Sequence, residues 1–239
     1  MPAYNSEKTI SDSILSVINQ EYSNFELLIC DDGSTDKTID IIMKYVENDS
    51  RVRLISNKYK KGAAGARNSC INGSNARFIS FLDSDDLWDK EKLYVQVNYM
   101  LEFNLAMSHG EYLMFDENQN VKKIIPNSIV DYSNILKKCD IGCLTVMLDR
   151  LKIGSIQFPD MPKEDYALWV MVMKNSIISS SYPGCYAWYR KQKKSISSSK
   201  FKEISKQWYV LKKIANVGYF YRVKYIFTYI FNGVFKHFL

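Results

Sequence analysis

Three carboxylates fall within four residues at Asp83, Asp85 and Asp86, directly after the apolar run Phe78-Ile79-Ser80-Phe81-Leu82. Like charges packed this closely repel and raise each other's proton affinity unless a cation sits between them. The i, i+2 spacing of Asp83 and Asp85 lets two side chains, or one side chain and a bridging water, reach a single hard divalent ion. A solvated turn that caps the next helix is the alternative, because Asp is a common turn residue. Asp86 fits that alternative best. Asp31-Asp32 ends a second apolar run, and Glu164-Asp165 precedes a helical stretch where Asp165 can serve as a cap. His109 and His237 are the only histidines and the five cysteines form no CxxC pair, so a His-based triad or a zinc site is not expected.

Alternating strand-like and helix-like segments must hold these acids. Residues 6–20 carry Ile10, Ile14, Leu15, Val17 and Ile18 at helical spacing, behind Asn5 or Ser6 as caps. Residues 25–30 and 51–56 read as strands, with a helix between them that opens at Thr35 or Asp36. A helix over 63–71, a strand over 77–82 and a helix over 90–102 continue the pattern. Such alternation predicts an α/β fold with a mostly parallel sheet and helices on both faces. Ligands of these folds gather at the carboxyl ends of the strands. Both acidic clusters sit there, so they are expected to face one cleft. Further on, 107–115 and 144–148 read as strands, 166–174 as a helix, and 177–182 with 185–190 as a strand pair around Pro183-Gly184.

The net charge of +6 hides an asymmetry: residues 187–239 hold twelve Lys or Arg against Glu203 alone, whereas residues 1–186 carry 20 basic and 25 acidic side chains. The tail combines a helical stripe (Ile204, Trp208, Leu211, Ile214) with a Tyr- and Phe-rich stretch over 219–239. Aromatic rings favour the lipid headgroup level and basic side chains attract anionic lipid, so the tail is expected to be a helix lying on an anionic membrane surface. Packing on the body or on a second subunit is the alternative. No recognised nucleic-acid module accompanies the basic tail, so nucleic acid is not expected as a partner. Reduced thiols and the lack of a leader-type N-terminus point to a cytoplasmic location, peripheral on the inner face of the membrane.

Five segments, Pro2-Ala3-Tyr4-Asn5, Asp31 to Asp36, Gly62 to Asn68, Asp83 to Asp86 and Glu164-Asp165, together resemble, in order and spacing, the family 2 glycosyltransferases of the GT-A, Rossmann-like fold. The resemblance covers residues 2–190, which would form the transferase domain, with 191–239 as the basic, aromatic tail. It implies transfer of a sugar from a nucleotide-diphosphate donor, most simply UDP-linked, to an acceptor hydroxyl with inversion, using Mn²⁺ or Mg²⁺. The acceptor implied is a glycan, or a lipid-linked glycan, of the bacterial surface. Asp83-Ser84-Asp85 is similar to the family's DXD motif, with Asp85 as direct metal ligand and Asp83 holding ribose or a metal-bound water. Asp32 would accept a hydrogen bond from an imide N–H of the base, while Pro2 and Tyr4 line the nucleobase pocket. Arg67 would face the diphosphate or form a surface salt bridge. Asp165 would be the catalytic base, and Trp169 either stacks on a sugar or belongs to the core. A dehalogenase-type phosphatase is disfavoured, since Asp86-Leu87 follows where that motif takes Thr or Val.

In the family an apolar interior strand precedes the Pro-x-Tyr-Asn segment, and here the sequence opens at Met1-Pro2. A sheet without that strand is expected to leave backbone donors unpaired, which makes a catalytically impaired nucleotide-sugar-binding or scaffold protein the alternative function.

Overall fold

The computed structural model describes residues 1–118, 120–191 and 200–235. Its first half alternates as periodicity predicts: β1 (Pro2–Ala3), α1 (Ile10–Ile18), β2 (Leu27–Asp31), α2 (Thr38–Asn48), β3 (Val52–Ser56) and α3 (Ala63–Gly73). Period-2 geometry splits the side chains of β2 between two cores. Leu27 and Ile29 pack with Ile10, Ile14 and Ile42 of α1 and α2, whereas Leu28 and Cys30 meet Ala66 and Cys70 of α3. Helices thus cover both faces, and each fully buried isoleucine contributes roughly 1.5–3 kcal/mol.

The second half comprises β4 (Phe78–Ser80), β5 (Leu87–Trp88), α4 (Lys92–Glu102), β6 (Met107–Phe115), β7 (Val121–Ile124), β8 (Ile129–Val130), α5 (Tyr132–Lys137), β9 (Met147–Asp149), α6 (Arg150–Ile153), α7 (Glu164–Met173) and β10 (Ser179–Arg190). Two tail helices follow, α8 (Lys200–Lys213) and α9 (Tyr219–Phe235). The strand pair predicted over 177–190 is instead one strand. Pro183-Gly184 does not turn the chain back; β10 stays parallel to β6 through a register shift between Ser181 and Cys185, and Gly184 takes a φ of 89° within it. A bulge absorbs the extra residues that sequence reads as a hairpin.

Strands β1, β2 and β3 form a parallel sheet, and β4-β9-β6-β10-β5 form a mixed one, with β7 on β6 and β8 on β10. No backbone pairing joins β2 to β4 among the described residues. Between them lies a cavity of about 670 Å³ lined by Met1, Leu28, Phe78, Phe81, Trp88 and Met147. The Met1 ammonium donates to the Leu28 carbonyl at 2.7 Å on its margin.

The tail helices dock on the body, as the alternative reading of the tail had it. Val210, Leu211 and Ile226 are buried in one core with α5 and α7. The outer side of α9 keeps Phe220, Phe227, Ile230 and Phe231 exposed. No helix of the described residues is long and apolar enough to cross a membrane. The serine-rich basic stretch over 192–199 lies outside the described residues.

Candidate active site

β4 delivers the acidic cluster. Phe81 and Leu82 continue inward as buried residues, and the chain then turns so that the Asp86 amide donates to the Asp83 carbonyl at 3.2 Å. Asp86, read as a solvated turn residue, is only 2% exposed. Its Oδ1 accepts from the Arg190 amide at 2.9 Å, and Arg190 Nε donates to the Asp85 carbonyl at 2.9 Å. Burial, reinforced by the charges of Asp83 and Asp85, pushes the Asp86 carboxyl well above the usual range. Asp86 therefore pins the acidic turn to the end of β10. Thr9 Oγ1 holds the same turn from α1's side by donating to the Ser84 carbonyl at 2.9 Å.

Arg67 is neither a surface side chain nor paired with one acid. At 6% exposure its Nη2 donates to Asp83 Oδ1 at 2.6 Å and its Nη1 to Glu164 Oε1 at 2.8 Å. The guanidinium lies 5.2 Å from the centre of the Phe158 ring. A planar fork suits this double role, because its donors point at two carboxylates at once. One residue of α3 thus ties the acidic strand end to the start of α7.

Asp165 stands in the first turn of α7, half-buried beside that bridge. Its Oδ1 accepts from the Tyr166 amide at 2.7 Å, while the cap position itself belongs to Lys163, whose backbone is left-handed (φ 56°, ψ 50°). Burial raises the Asp165 carboxyl above the ordinary aspartate range, the charge of Glu164 adds to this, and Arg67 opposes it. Raised basicity is what a carboxylate needs to accept a hydroxyl proton near neutral pH. Trp169, further along α7, is core: it is fully buried against Phe81 and Phe158.

The other acidic pair frames a second opening, an exposed cleft of about 520 Å³ lined by Asp31, Asp32, Ile39, Leu54, Tyr59 and Lys61. Asp31 closes the turn, accepting from the amides of Gly33 and Ser34 at 2.9 and 3.0 Å. Gly33, at φ 88°, makes that turn possible. Asp32 receives Asn57 Nδ2 at 2.6 Å and the Gly62 amide at 2.7 Å, so it organises the loop leading into α3. A carboxylate has about four acceptor positions, which leaves capacity for a ligand donor. Pro2 pairs with Cys30 in the β1–β2 ladder, and the half-exposed Tyr4 ring lies 4.6 Å from Lys61 Nζ.

Among the described residues no group of three His, Cys, Asp or Glu side chains could hold a metal unaided. A hard divalent ion would find two carboxylates in this turn, Asp85 and Asp83, the latter already engaged through Oδ1 by Arg67. Such ions keep several waters and take one or two carboxylates, with substrate phosphates completing the shell. Sequence reasoning missed Lys163, and Asn57 as a partner of Asp32; a basic residue before Glu-Asp was the only available signal.

The site thus combines an α/β body with acids at strand ends, an acidic turn bridged by arginine to a second acidic pair, and an open cleft beside Asp31 and Asp32, the form of an α/β enzyme with its ligand groups at the strand ends. Comparison with known proteins makes the assignment specific. The model of Glycosyl transferase family 2 matches residues 1–146, and the chain belongs to that family. It is a glycosyltransferase of GT-A fold. It is 44% identical over 238 residues, covering 99% of this chain and 93% of the relative, to the UDP-Glc:alpha-D-GlcNAc-diphosphoundecaprenol beta-1,3-glucosyltransferase WfgD of Escherichia coli. It is 38% identical to the putative teichuronic acid biosynthesis glycosyltransferase TuaG of Bacillus subtilis, over 91% of this chain and 88% of the relative. Among solved structures, TarS 1-349 of S. aureus in complex with UDP-GlcNAc shares the fold at a TM-score of 0.66 and 21% identity, over 94% of this chain and 68% of that one. The mannosyltransferase PcManGT of Pyrobaculum calidifontis, in complex with GDP-Man and Mn²⁺, aligns at 0.65 and 16% identity, over 91% and 63%.

Proposed function

We propose that this chain moves a hexose, glucose first among candidates, from a UDP-linked donor to a lipid-diphosphate-linked N-acetylhexosamine, inverting the anomeric centre. The Arg67 bridge carries this reading, because one guanidinium holds a donor-side carboxylate, Asp83, beside the Glu164-Asp165 pair. The relatives from Escherichia coli, named as UDP-Glc-dependent β-1,3-glucosyltransferases at 44% and 39% identity, support the donor and acceptor classes. An α-linked donor that yields a β-linked product requires one in-line displacement.

Asp32, Pro2 and Tyr4 bind the nucleobase end of the donor. Asp83 and Ser84 approach the ribose and diphosphate, and Arg67 keeps Asp83 oriented. Asp85, with Asp83, would hold Mn²⁺ or Mg²⁺, which supplies Lewis-acid stabilisation of the departing diphosphate. Asp165 takes the proton of the acceptor hydroxyl on the face opposite the leaving group. The exposed aromatic side of α9 rests on the anionic membrane surface where a lipid-linked acceptor resides. The divided sheet favours a second reading, donor binding without turnover.

One assay separates the two readings. Purified protein receives labelled UDP-glucose, a synthetic N-acetylglucosaminyl-diphosphate lipid and Mn²⁺, with and without a chelator. Metal-dependent transfer is expected, with Asp165→Asn losing at least about 100-fold in kcat while still binding UDP, and Asp85→Ala losing the metal response. Donor binding without transfer supports the second reading, and an Asp165→Asn enzyme of normal rate removes Asp165 from the mechanism.

A further inference from the structure

We infer that Lys163 is a positioning residue that ties the placement of Asp165 to the seating of the two tail helices on the body. This rests on Asp165 as base and goes beyond it. Two features meet at Lys163. Its backbone is left-handed, at φ 56° and ψ 50°, and the next residue begins α7, so this one conformation sets the direction in which Glu164 and Asp165 project. A side chain with a Cβ enters that region against strain and stays only where surroundings over-determine it. The surroundings are tail residues. Lys163 Nζ donates to Gln207 Oε1 at 3.2 Å and to Tyr229 OH at 3.2 Å, pairs with Glu203 Oε2 at 3.4 Å, and lies 4.7 Å from the Tyr229 ring centre.

Both members of this ion pair are largely buried, with side-chain exposures of 17% and 18%, and Lys206 reinforces Glu203 at 2.7 Å. The clamp is therefore not an idle surface pair. The inner side of α9 carries Tyr229 three residues after the buried Ile226, so the contact that buries the helix also presents the hydroxyl to Lys163. Removing the clamp leaves the left-handed residue without its restraint. The start of α7 then samples other directions, and Asp165 loses its aim while the nucleotide cleft, built from β2 and β3, is untouched.

The test uses the full-length chain with a water-soluble short-chain analogue of the acceptor, so that acceptor presentation is constant. Lys163→Met and the single-hydroxyl deletion Tyr229→Phe are compared with Lys163→Arg, and circular dichroism and melting are recorded for each. Expected results are a kcat lowered about 10- to 100-fold in Lys163→Met and by a smaller factor in Tyr229→Phe. Donor KM stays unchanged, and most of the rate returns in Lys163→Arg. Folded Lys163→Met with normal kcat overturns the inference, as does a loss confined to donor KM or one that Lys163→Arg does not restore. Should Lys163→Met fail to fold, an unchanged kcat in Tyr229→Phe overturns it alone. Asp165→Asn in the same series keeps the outcomes apart: if it is active the base assignment fails, and if it is inactive beside a normal Lys163→Met only the clamp fails.

Discussion

Lys92 is fully buried, with its nitrogen 3.6 Å from the Trp88 ring centre and 3.3 Å from Ser80 Oγ. Burial holds this amine well below the ordinary lysine range. The sign follows from proton counts. Between the lowered folded value and about 10.5 the unfolded chain binds the extra proton, so stability rises with pH across that window and a cost persists at neutral pH. Lys92→Met is expected to stabilise the fold by roughly 1–3 kcal/mol at pH 7 and to flatten the slope, read from urea titrations at several pH values; an unchanged slope refutes it. Individual side chains differ in how much of this the sequence discloses. Asp83, Asp85 and Asp165 stand out as candidates in the sequence because each lies in a run of its own kind. Arg67 can be named as a candidate, but its bridging of two acids cannot, since its partners lie 16 and 97 residues away. Asp86 misleads because the amide that buries it is 104 residues downstream.

Among elements, α3 enters the site through a near-contact that only glycine permits. A Cβ on Gly65 would stand 2.0 Å from the Lys60 carbonyl oxygen, a backbone atom that cannot swing aside. Gly65→Ala is expected to displace the 57–62 loop, cost at least about 1–3 kcal/mol in melting experiments, and weaken UDP binding together with activity, because Asp32 grips that loop and Arg67 starts two residues on. Wild-type melting and affinity would remove the loop from the site's architecture. Helices and strands of the first half are predicted well, since apolar periodicity at 3.6 or 2 residues is local. Strand β10 is not, because whether Pro183-Gly184 bends or reverses the chain depends on β6 lying alongside. The left-handed Lys163 leaves no compositional trace, for its restraint comes from helices forty and more residues later.

For the whole molecule, α9 joins an inner packed side to an exposed aromatic side. Full-length protein is expected to sediment with vesicles containing phosphatidylglycerol and not with neutral phosphatidylcholine alone, more weakly as salt rises. Phe227→Ser with Phe231→Ser should abolish sedimentation without changing the melting temperature; retained binding would assign membrane contact elsewhere. The overall α/β order is legible from sequence, whereas the docking of the basic tail on α5 and α7 enters that reading only as the alternative, because charge and aromatic content describe its outer side only. The split between β2 and β4 has a further consequence. On the proposed donor site, the carboxylate for the base, Asp32, follows β2 in one sheet and those for the diphosphate follow β4 in the other, with no ladder joining β2 to β4 among the described residues. A bound nucleotide-sugar would act as a strut across the gap, joining by ligand bonds what backbone bonds leave separate. Amide hydrogens flanking the cavity, at Leu28 and Ile79, would then exchange more slowly with donor present, and the molecule would acquire part of its rigidity from its own substrate.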